Sequence, residues 1–255
     1  MEVHAVPVLE DNISYIVVDR ESGQVAVVDP AVPETVMGQC ERLGLSAPSQ
    51  VWTTHKHADH AAGNPYFAQR MPHIEIIGGR DDNVPACTKP VTDRAVFKLG
   101  NIEVTVLAVP CHTRGHVLYF AQLGDQRALF TGDTLFIGGC GRFFEGSAKE
   151  MHHNLNSVIA SLPGDTLIYC GHEYTVANLR FASRVEPDNG AVREKMEWAM
   201  KQVASGHLTV PSTIDEERTF NPFMRVGQAS VRAFAGKQPD DIQTMAKLRE
   251  IKNMS

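Results

Sequence analysis

Thr54-His55-Lys56-His57-Ala58-Asp59-His60 places four metal-ligating side chains in one short stretch. Imidazoles and a carboxylate are the donor set that suits zinc, iron or manganese. His55 and His57 stand two apart and can converge on one ion from a tight loop, while Asp59 and His60 point elsewhere and can serve a second ion. The apolar, β-branched run Val51-Trp52-Thr53-Thr54 before them reads as a buried strand. Gly63, Asn64 and Pro65 after them begin a turn before a helix-like run. The ligands therefore sit at the carboxyl end of a strand, where α/β folds usually put their chemistry. A solvated polar loop that binds nothing has no need of three histidines and an aspartate at this spacing.

The elements that deliver these residues occur twice. Val3 to Leu9, Tyr15 to Val18 and Val25 to Val28 read as strands, with a turn at Glu21-Ser22-Gly23-Gln24 and an end at Asp29-Pro30. A helix follows from Pro33 to Leu43, with Gly44 as its cap, and then comes the strand that carries His55. In the second half, Val104 to Val109 ends in Pro110-Cys111-His112. A hairpin of Val117 to Gln122 and Ala128 to Thr131 turns at Gly124-Asp125 and ends in Gly132-Asp133. Ala148 to Leu162 is amphipathic at helical spacing, and Thr166 to Cys170 is a strand ending in Gly171-His172. The order hairpin–Asp, helix, strand–His thus appears as Asp29 with His55 and again as Asp133 with His172. Two β-rich halves, each followed by a helix, predict two packed sheets with helices outside. The ligand-bearing ends would meet at one edge.

A histidine at a strand end is weak evidence by itself, since many only hydrogen-bond the backbone. Together, five histidines and two aspartates supply what two ions need once water fills the remaining positions. We expect His55, His57 and His112 on one ion and Asp59, His60 and His172 on the other, with Asp133 between them. Asp29 has no ligands near it in sequence and reads as structural, holding backbone amides behind the site. His116 reads as a packing or supporting histidine, Cys111 as small and buried, and Lys56 as facing away. Asp81-Asp82 reads as a solvated turn or helix start.

At 255 residues, 43% hydrophobic and 21% charged, the chain is an ordinary globular protein with room for a large domain and a smaller one. Its net charge of −6 gives no footprint for nucleic acid or an anionic membrane. No apolar stretch is long enough to span a bilayer. The first residues carry no leader pattern, and five scattered cysteines argue against a disulfide framework. These features predict a cytoplasmic protein, and nothing in the patterning demands a partner chain, so a monomer is expected.

Beyond residue 174 the pattern is helical. Thr175 to Val185 and Ala191 to Ala204 read as helices. The stripe Val192, Met196, Ala199, Met200 and Val203 reads as core. Pro211 to Phe223 reads as a polar loop with local turns. A last helix runs from Pro239 to about Asn253, where Arg249 and Lys252 share a face. On spacing alone, those cations complement a solvated helix end, and Arg142 is a surface arginine.

His55-x-His57-x-Asp59-His60, followed by His112, Asp133 and His172, resembles the metallo-β-lactamase superfamily over roughly residues 1 to 175. That resemblance implies a four-layer αββα sandwich of the α+β class. Gly138-Gly139-Cys140-Gly141-Arg142-Phe143-Phe144-Glu145-Gly146, Gly171-His172-Glu173-Tyr174-Thr175 and Asn221-Pro222-Phe223-Met224-Arg225 resemble the glyoxalase II family, the hydroxyacylglutathione hydrolases, nearly end to end. The resemblance implies a catalytic domain over 1–173 and a helical substrate-binding domain over 174–255. It further implies two divalent cations, zinc first with iron or manganese accepted. The substrate would be a glutathione thioester, S-D-lactoylglutathione, cleaved to glutathione and D-lactate in the second step of methylglyoxal detoxification. Arg142, Phe144, Tyr174, Arg249 and Lys252 match the family's substrate-contacting positions. Phe144 stands where the family usually has tyrosine, a lost hydroxyl worth about 0.5–1.5 kcal/mol of binding if nothing replaces it.

Two cations close together lower the pKa of a water held between them, which makes hydroxide the nucleophile, and they polarise the carbonyl. Asp59 would orient that nucleophile through its second oxygen. A thiolate leaves readily, so the absence of an obvious proton donor fits a thioester. Two alternatives share the ligand pattern. One is an iron-dependent glutathione persulfide dioxygenase, which uses one iron and lacks the long helical tail. The other is a non-catalytic partner-binding relative with a vestigial site.

Overall fold

A computed structural model describes residues 1–254. The first sheet has the order β1 (Glu2–Val8), β2 (Asn12–Val18), β3 (Val25–Val28), β4 (Gln50–Thr53), β5 (Glu75–Gly79) and β6 (Lys89–Val91). The second contains β7 (Val96–Leu99), β8 (Ile102–Ala108), β9 (Val117–Leu123) and β10 (Gln126–Gly132) as an antiparallel run. A two-stranded ribbon, β11 (Leu135–Phe136) with β12 (Gly139–Cys140), leaves it. Then β13 (Leu167–Cys170) pairs parallel to β10, and β14 (Ser212–Thr213) pairs antiparallel to β13. In each half an antiparallel meander is followed by a helix and a parallel strand: β3 with β4, and β10 with β13. The repeat read from the sequence is thus a repeat of topology.

Burial makes the layers. β2 is buried along its whole length, as a strand covered on both faces should be. Between the sheets lies an aromatic core in which Trp52, fully buried, meets Phe97, Tyr119 and Phe130 at ring separations of 5.6, 5.7 and 5.8 Å. Outside the first sheet pack α1 (Pro33–Arg42), which buries Val36 and Cys40 one turn apart, and α3 (Asn64–Arg70), which follows the single turn α2 (Ala58–Ala61). Outside the second pack α4 (Ala148–His153), α5 (Thr175–Val185) and α9 (Asp241–Asn253), with α6 (Gly190–Ala204), α7 (Ile214–Phe220) and α8 (Ala229–Phe234) beside them. The result is the expected metallo-β-lactamase-like αββα sandwich with a helical C-terminal region. Among the described residues no helix is long and apolar enough to cross a membrane.

Three expectations need correction. Ala148 to Leu162 is not one regular helix: α4 starts on a capping box of Ser147 with Glu150, then widens to a π-turn over Asn154–Val158 and tightens to a 3₁₀ turn over Ile159–Ser161. Pro211 to Phe223 is not a loop. It holds β14, α7 and a 3₁₀ turn over Pro222–Met224, and α7 opens on a capping box of Thr213 with Glu216. The apolar stripe of α6 is core only in part, because Val192 and Ala199 are buried while Met200 and Val203 lie on the surface at 53% and 48% exposure.

The strand ends that carry the expected ligands meet at one edge, where backbone bonds tie the sheets together. Val117 N donates to Thr54 O at 2.9 Å and Ile13 N to Gly171 O at 2.8 Å. Gly132 turns the chain there at φ +46°, and a Cβ on it would stand 2.4 Å from Thr54 Oγ1. Only glycine fits that turn.

Candidate metal centre

The seven expected ligands fall into two clusters. His55 Nε2 lies 3.0 Å from His57 Nδ1, and His112 Nε2 lies 3.1 Å from the same atom. His60 Nε2 lies 3.3 Å from His172 Nε2, with Asp59 Oδ2 at 3.4 Å from His172 Nε2. Asp133 stands between: Oδ1 is 3.3 Å from His60 Nε2 and 3.4 Å from His172 Nε2, and Oδ2 is 3.4 Å from His112 Nε2. Each triad can present its donor atoms to one ion.

The donor set passes a chemical test for cations. Several of the imidazoles are held from behind, which fixes the tautomer and turns a lone pair inward. His112 Nδ1 donates to Arg142 O (3.0 Å), His60 Nδ1 to Asp29 Oδ2 (2.9 Å) and His172 Nδ1 to Asp11 Oδ1 (2.8 Å). Three ring nitrogens that face one another at about hydrogen-bond distance cannot all be satisfied by protons, but a divalent ion satisfies all three. Burial holds His55 well below the usual imidazole range, and so neutral. On the other side the carboxylates call for positive charge. The hydrogen bond from His172 holds Asp59 well below the usual carboxylate range. Burial would raise Asp133, but His60 and His172 outweigh it and hold it low. Burial opposes charge on His172, yet Asp133 and Asp59 lift it to about 10.

Local structure explains the aim of each side chain. Asp29 accepts from Thr54 N (2.7 Å) and Thr54 Oγ1 (2.6 Å) as well as from His60. It holds a backbone amide as anticipated and also orients His60. His57 immediately precedes α2, so Asp59 and His60 fall within that single turn. Asn12 Nδ2 donates to Asp59 Oδ2 at 3.1 Å. His116 is buried, stacks on His55 at 4.8 Å and accepts from Asp133 N at 3.2 Å. Lys56 turns away to pair with Glu145 at 2.7 Å. Cys111 is buried, and that burial pushes its thiol up to about 12.

The expectation of a solvated Asp81-Asp82 pair fails at Asp82. That residue is fully buried and accepts from Lys56 N (2.6 Å) and Gly115 N (2.9 Å). It clamps together the two loops that carry His57 and His112, because two buried amides need an acceptor. No local spacing announces this role, since both donors come from distant segments.

A cavity of about 540 Å³ opens beside the clusters, lined by His112, Asp133, Phe144 and Tyr174 next to them and by Arg142, Arg249 and Lys252 as well. All five residues expected at the substrate therefore face one space. Phe144, 60% exposed, lies over His112 at 5.1 Å. Tyr174 stacks on His172 at 4.6 Å. Arg249 is not on a solvated helix end: it is buried and donates to Cys140 O at 2.9 Å. Lys252 Nζ donates to Asn178 Oδ1 at 2.6 Å, and Asn178 Nδ2 donates to Ile137 O at 3.0 Å. Burial, then the neighbouring Arg249, pushes Lys252 down to about 8.

Two further residues went unnoticed in these roles. Asn221 Nδ2 donates to Gly139 O at 3.0 Å, and buried Glu217 accepts from Gly138 N at 2.9 Å. They hold the 136–142 loop, whose last carbonyl holds His112. The α7 capping box would have placed Glu217 on a short helix and Asn221 at its end.

Residues 9–172 match the family described as the metallo-beta-lactamase superfamily, and residues 173–255 match the hydroxyacylglutathione hydrolase C-terminus. Among curated relatives, a protein of Arabidopsis thaliana named "Hydroxyacylglutathione hydrolase cytoplasmic" is 44% identical over 99% of this chain and 98% of its own length. A "Hydroxyacylglutathione hydrolase-like protein" of Gallus gallus is 41% identical over 99% of this chain and 90% of its own. Among solved structures, ETHE1 from Myxococcus xanthus superposes at a TM-score of 0.67, with 23% identity over 100% of this chain and 99% of that one. TTHA1623, solved in a di-iron-bound form, gives 0.55, with 24% identity over 68% and 92%. At those identities the structural likeness speaks for the fold.

Proposed function

Because this chain belongs to the hydroxyacylglutathione hydrolase family of the metallo-beta-lactamase superfamily, we propose that it hydrolyses S-(2-hydroxyacyl)glutathione, with S-D-lactoylglutathione the physiological thioester. The observation that carries this is one cavity that reaches the two clusters through His112 and Asp133 and is walled farther along by cations. Residues 1–173 then hold the reacting centre and 174–255 supply most of the grip on the peptide.

We assign His55, His57 and His112 to one divalent ion, Asp59, His60 and His172 to the other, and Asp133 to both. Zinc is the first choice, and iron or manganese suits the same donors. When bound, such ions supply an activated water and an electrophile for the thioester carbonyl. Asp59, its Oδ2 fixed by Asn12, orients the attacking water. Arg249 and Lys252 grip the glycine carboxylate from the deep wall, and Arg142 approaches from the loop whose carbonyl holds His112. That shared loop keeps peptide grip and carbonyl position in register. Phe144 and Tyr174 pack around the thioester and exclude bulk water. Attack adds one oxygen to the carbonyl carbon. Collapse breaks the C–S bond and releases glutathione thiolate, which needs no dedicated acid, together with the hydroxy acid.

The test is release of free thiol from S-D-lactoylglutathione by metal-loaded protein, run beside oxygen uptake with glutathione persulfide. Thiol release without oxygen uptake is the expected result. Oxygen uptake without thiol release would overturn the proposal in favour of the dioxygenase.

A further inference from the structure

The cavity wall holds more cations than the grip just described uses. Arg142, Arg180, Arg184, Arg249 and Lys252 all line it, and Asp133 is the only acid there among the described residues. This is a marked local excess in a chain with 24 Lys and Arg against 30 Asp and Glu. Arg180 and Arg184 lie one turn apart on α5, on the same face as Ala177, whose short side chain leaves room above the helix. Both are exposed, and among the described residues neither forms an ion pair. Unpaired guanidinium groups on a cavity rim are suited to bidentate capture of a planar anion.

Their placement matches the length of the peptide. The Phe181 ring lies 5.1 Å from Lys252 Nζ on the deep side and 6.0 Å from Arg184 Cζ toward the rim. One aromatic ring therefore lies between Lys252 and Arg184. An extended α-linked tripeptide is roughly 10 Å long at about 3.5 Å per residue, and the γ-glutamyl link of glutathione lengthens it, so the peptide can span that interval. With its glycine carboxylate at Arg249 and Lys252, its other carboxylate reaches α5.

We propose that Arg180 and Arg184 form a second anion subsite, which takes the α-carboxylate of the γ-glutamyl residue and selects glutathione over shorter thiols. This rests on the glutathione thioester reading. It assigns α5 a specificity role separate from the deep grip.

The test uses the metal-loaded full chain and two inert thioethers. One is S-methylglutathione. The other is its 4-aminobutanoyl-Cys-Gly counterpart, identical except for the missing α-carboxylate. Calorimetry should show wild type preferring S-methylglutathione by about tenfold, as a charge-assisted pair at a rim predicts. Arg180→Gln with Arg184→Gln should erase that preference and leave the affinity for the counterpart unchanged. Both side chains are exposed, so the fold should tolerate the change. A preference that survives the double substitution, or an equal loss for both ligands, would overturn the subsite and leave the hydrolase reading standing. Failure of wild type to bind either thioether would overturn that reading, and the subsite with it.

Discussion

Asp29 and Asp133 occupy corresponding places in the two halves, each just past a strand that pairs parallel to the strand bearing a histidine. Their carboxylates do different work. Asp29 faces Thr54 and the rear nitrogen of His60. Asp133 faces the front nitrogens of His60, His112 and His172. The backbone explains the difference. In the first half the left-handed turn falls on Asp29 itself, at φ 47°. In the second it falls on Gly132, at φ 46°, after a register shift between Phe130 and Gly132. The second carboxylate is thus carried one residue beyond the turn and into the gap between the clusters. A repeated topology therefore yields one carboxylate behind the site and one between the two clusters.

The largest test of this contrast is Asp133→Ala. Both ions should leave together, and activity should fall by more than the roughly 100-fold that loss of an outer hydrogen bond costs. Metal analysis that finds one ion at full occupancy would break the assignment of Asp133 to both clusters. Asp29→Ala should act most strongly at the His60 cluster, weakening its metal affinity by about 10–100-fold, with a smaller loss at the His55 cluster, because the Thr54 hydroxyl that Asp29 holds lies 3.1 Å from His55 Nδ1. Competition with a chelator separates the two. Asp82→Ala removes no proposed ligand but strands two buried amides between the loops that carry His57 and His112, lowering stability by about 1–3 kcal/mol in denaturant unfolding.

At the substrate end the effects are smaller. Lys252 titrates near 8 because burial and Arg249 disfavour its charge. Raising the pH through 8 removes the cation, so KM for the glutathione thioester should climb above that pH. Lys252→Arg should keep KM flat there. Phe144→Tyr is the gentlest change. A regained hydroxyl is worth about 0.5–1.5 kcal/mol, so KM should fall by between twofold and about tenfold.

Most of the candidate metal centre was legible because its proposed ligands announce themselves locally. His55, His57, Asp59 and His60 share one loop, and His112, Asp133 and His172 each close a readable strand. The supports were harder to see wherever their partners come from far along the chain. Asp82 serves amides 26 and 33 residues away, and Asp11 reaches His172 across 161. Arg249 read as a solvated helix end because spacing alone does not tell that α9 packs inward over Cys140. Thr213 and Glu216 were a missed local signal, since their capping box is written in the sequence. Met200 and Val203 erred the other way, as apolar residues at helical spacing on a surface where nothing covers them among the described residues.

The central claim is a binuclear thioesterase, and the most direct measurement is a titration of metal-free protein with zinc, followed by thiol release from S-D-lactoylglutathione. The account predicts that the rate rises until two ions per chain are bound and then stays constant. Full activity at one ion per chain, or no thiol release at two, would contradict it.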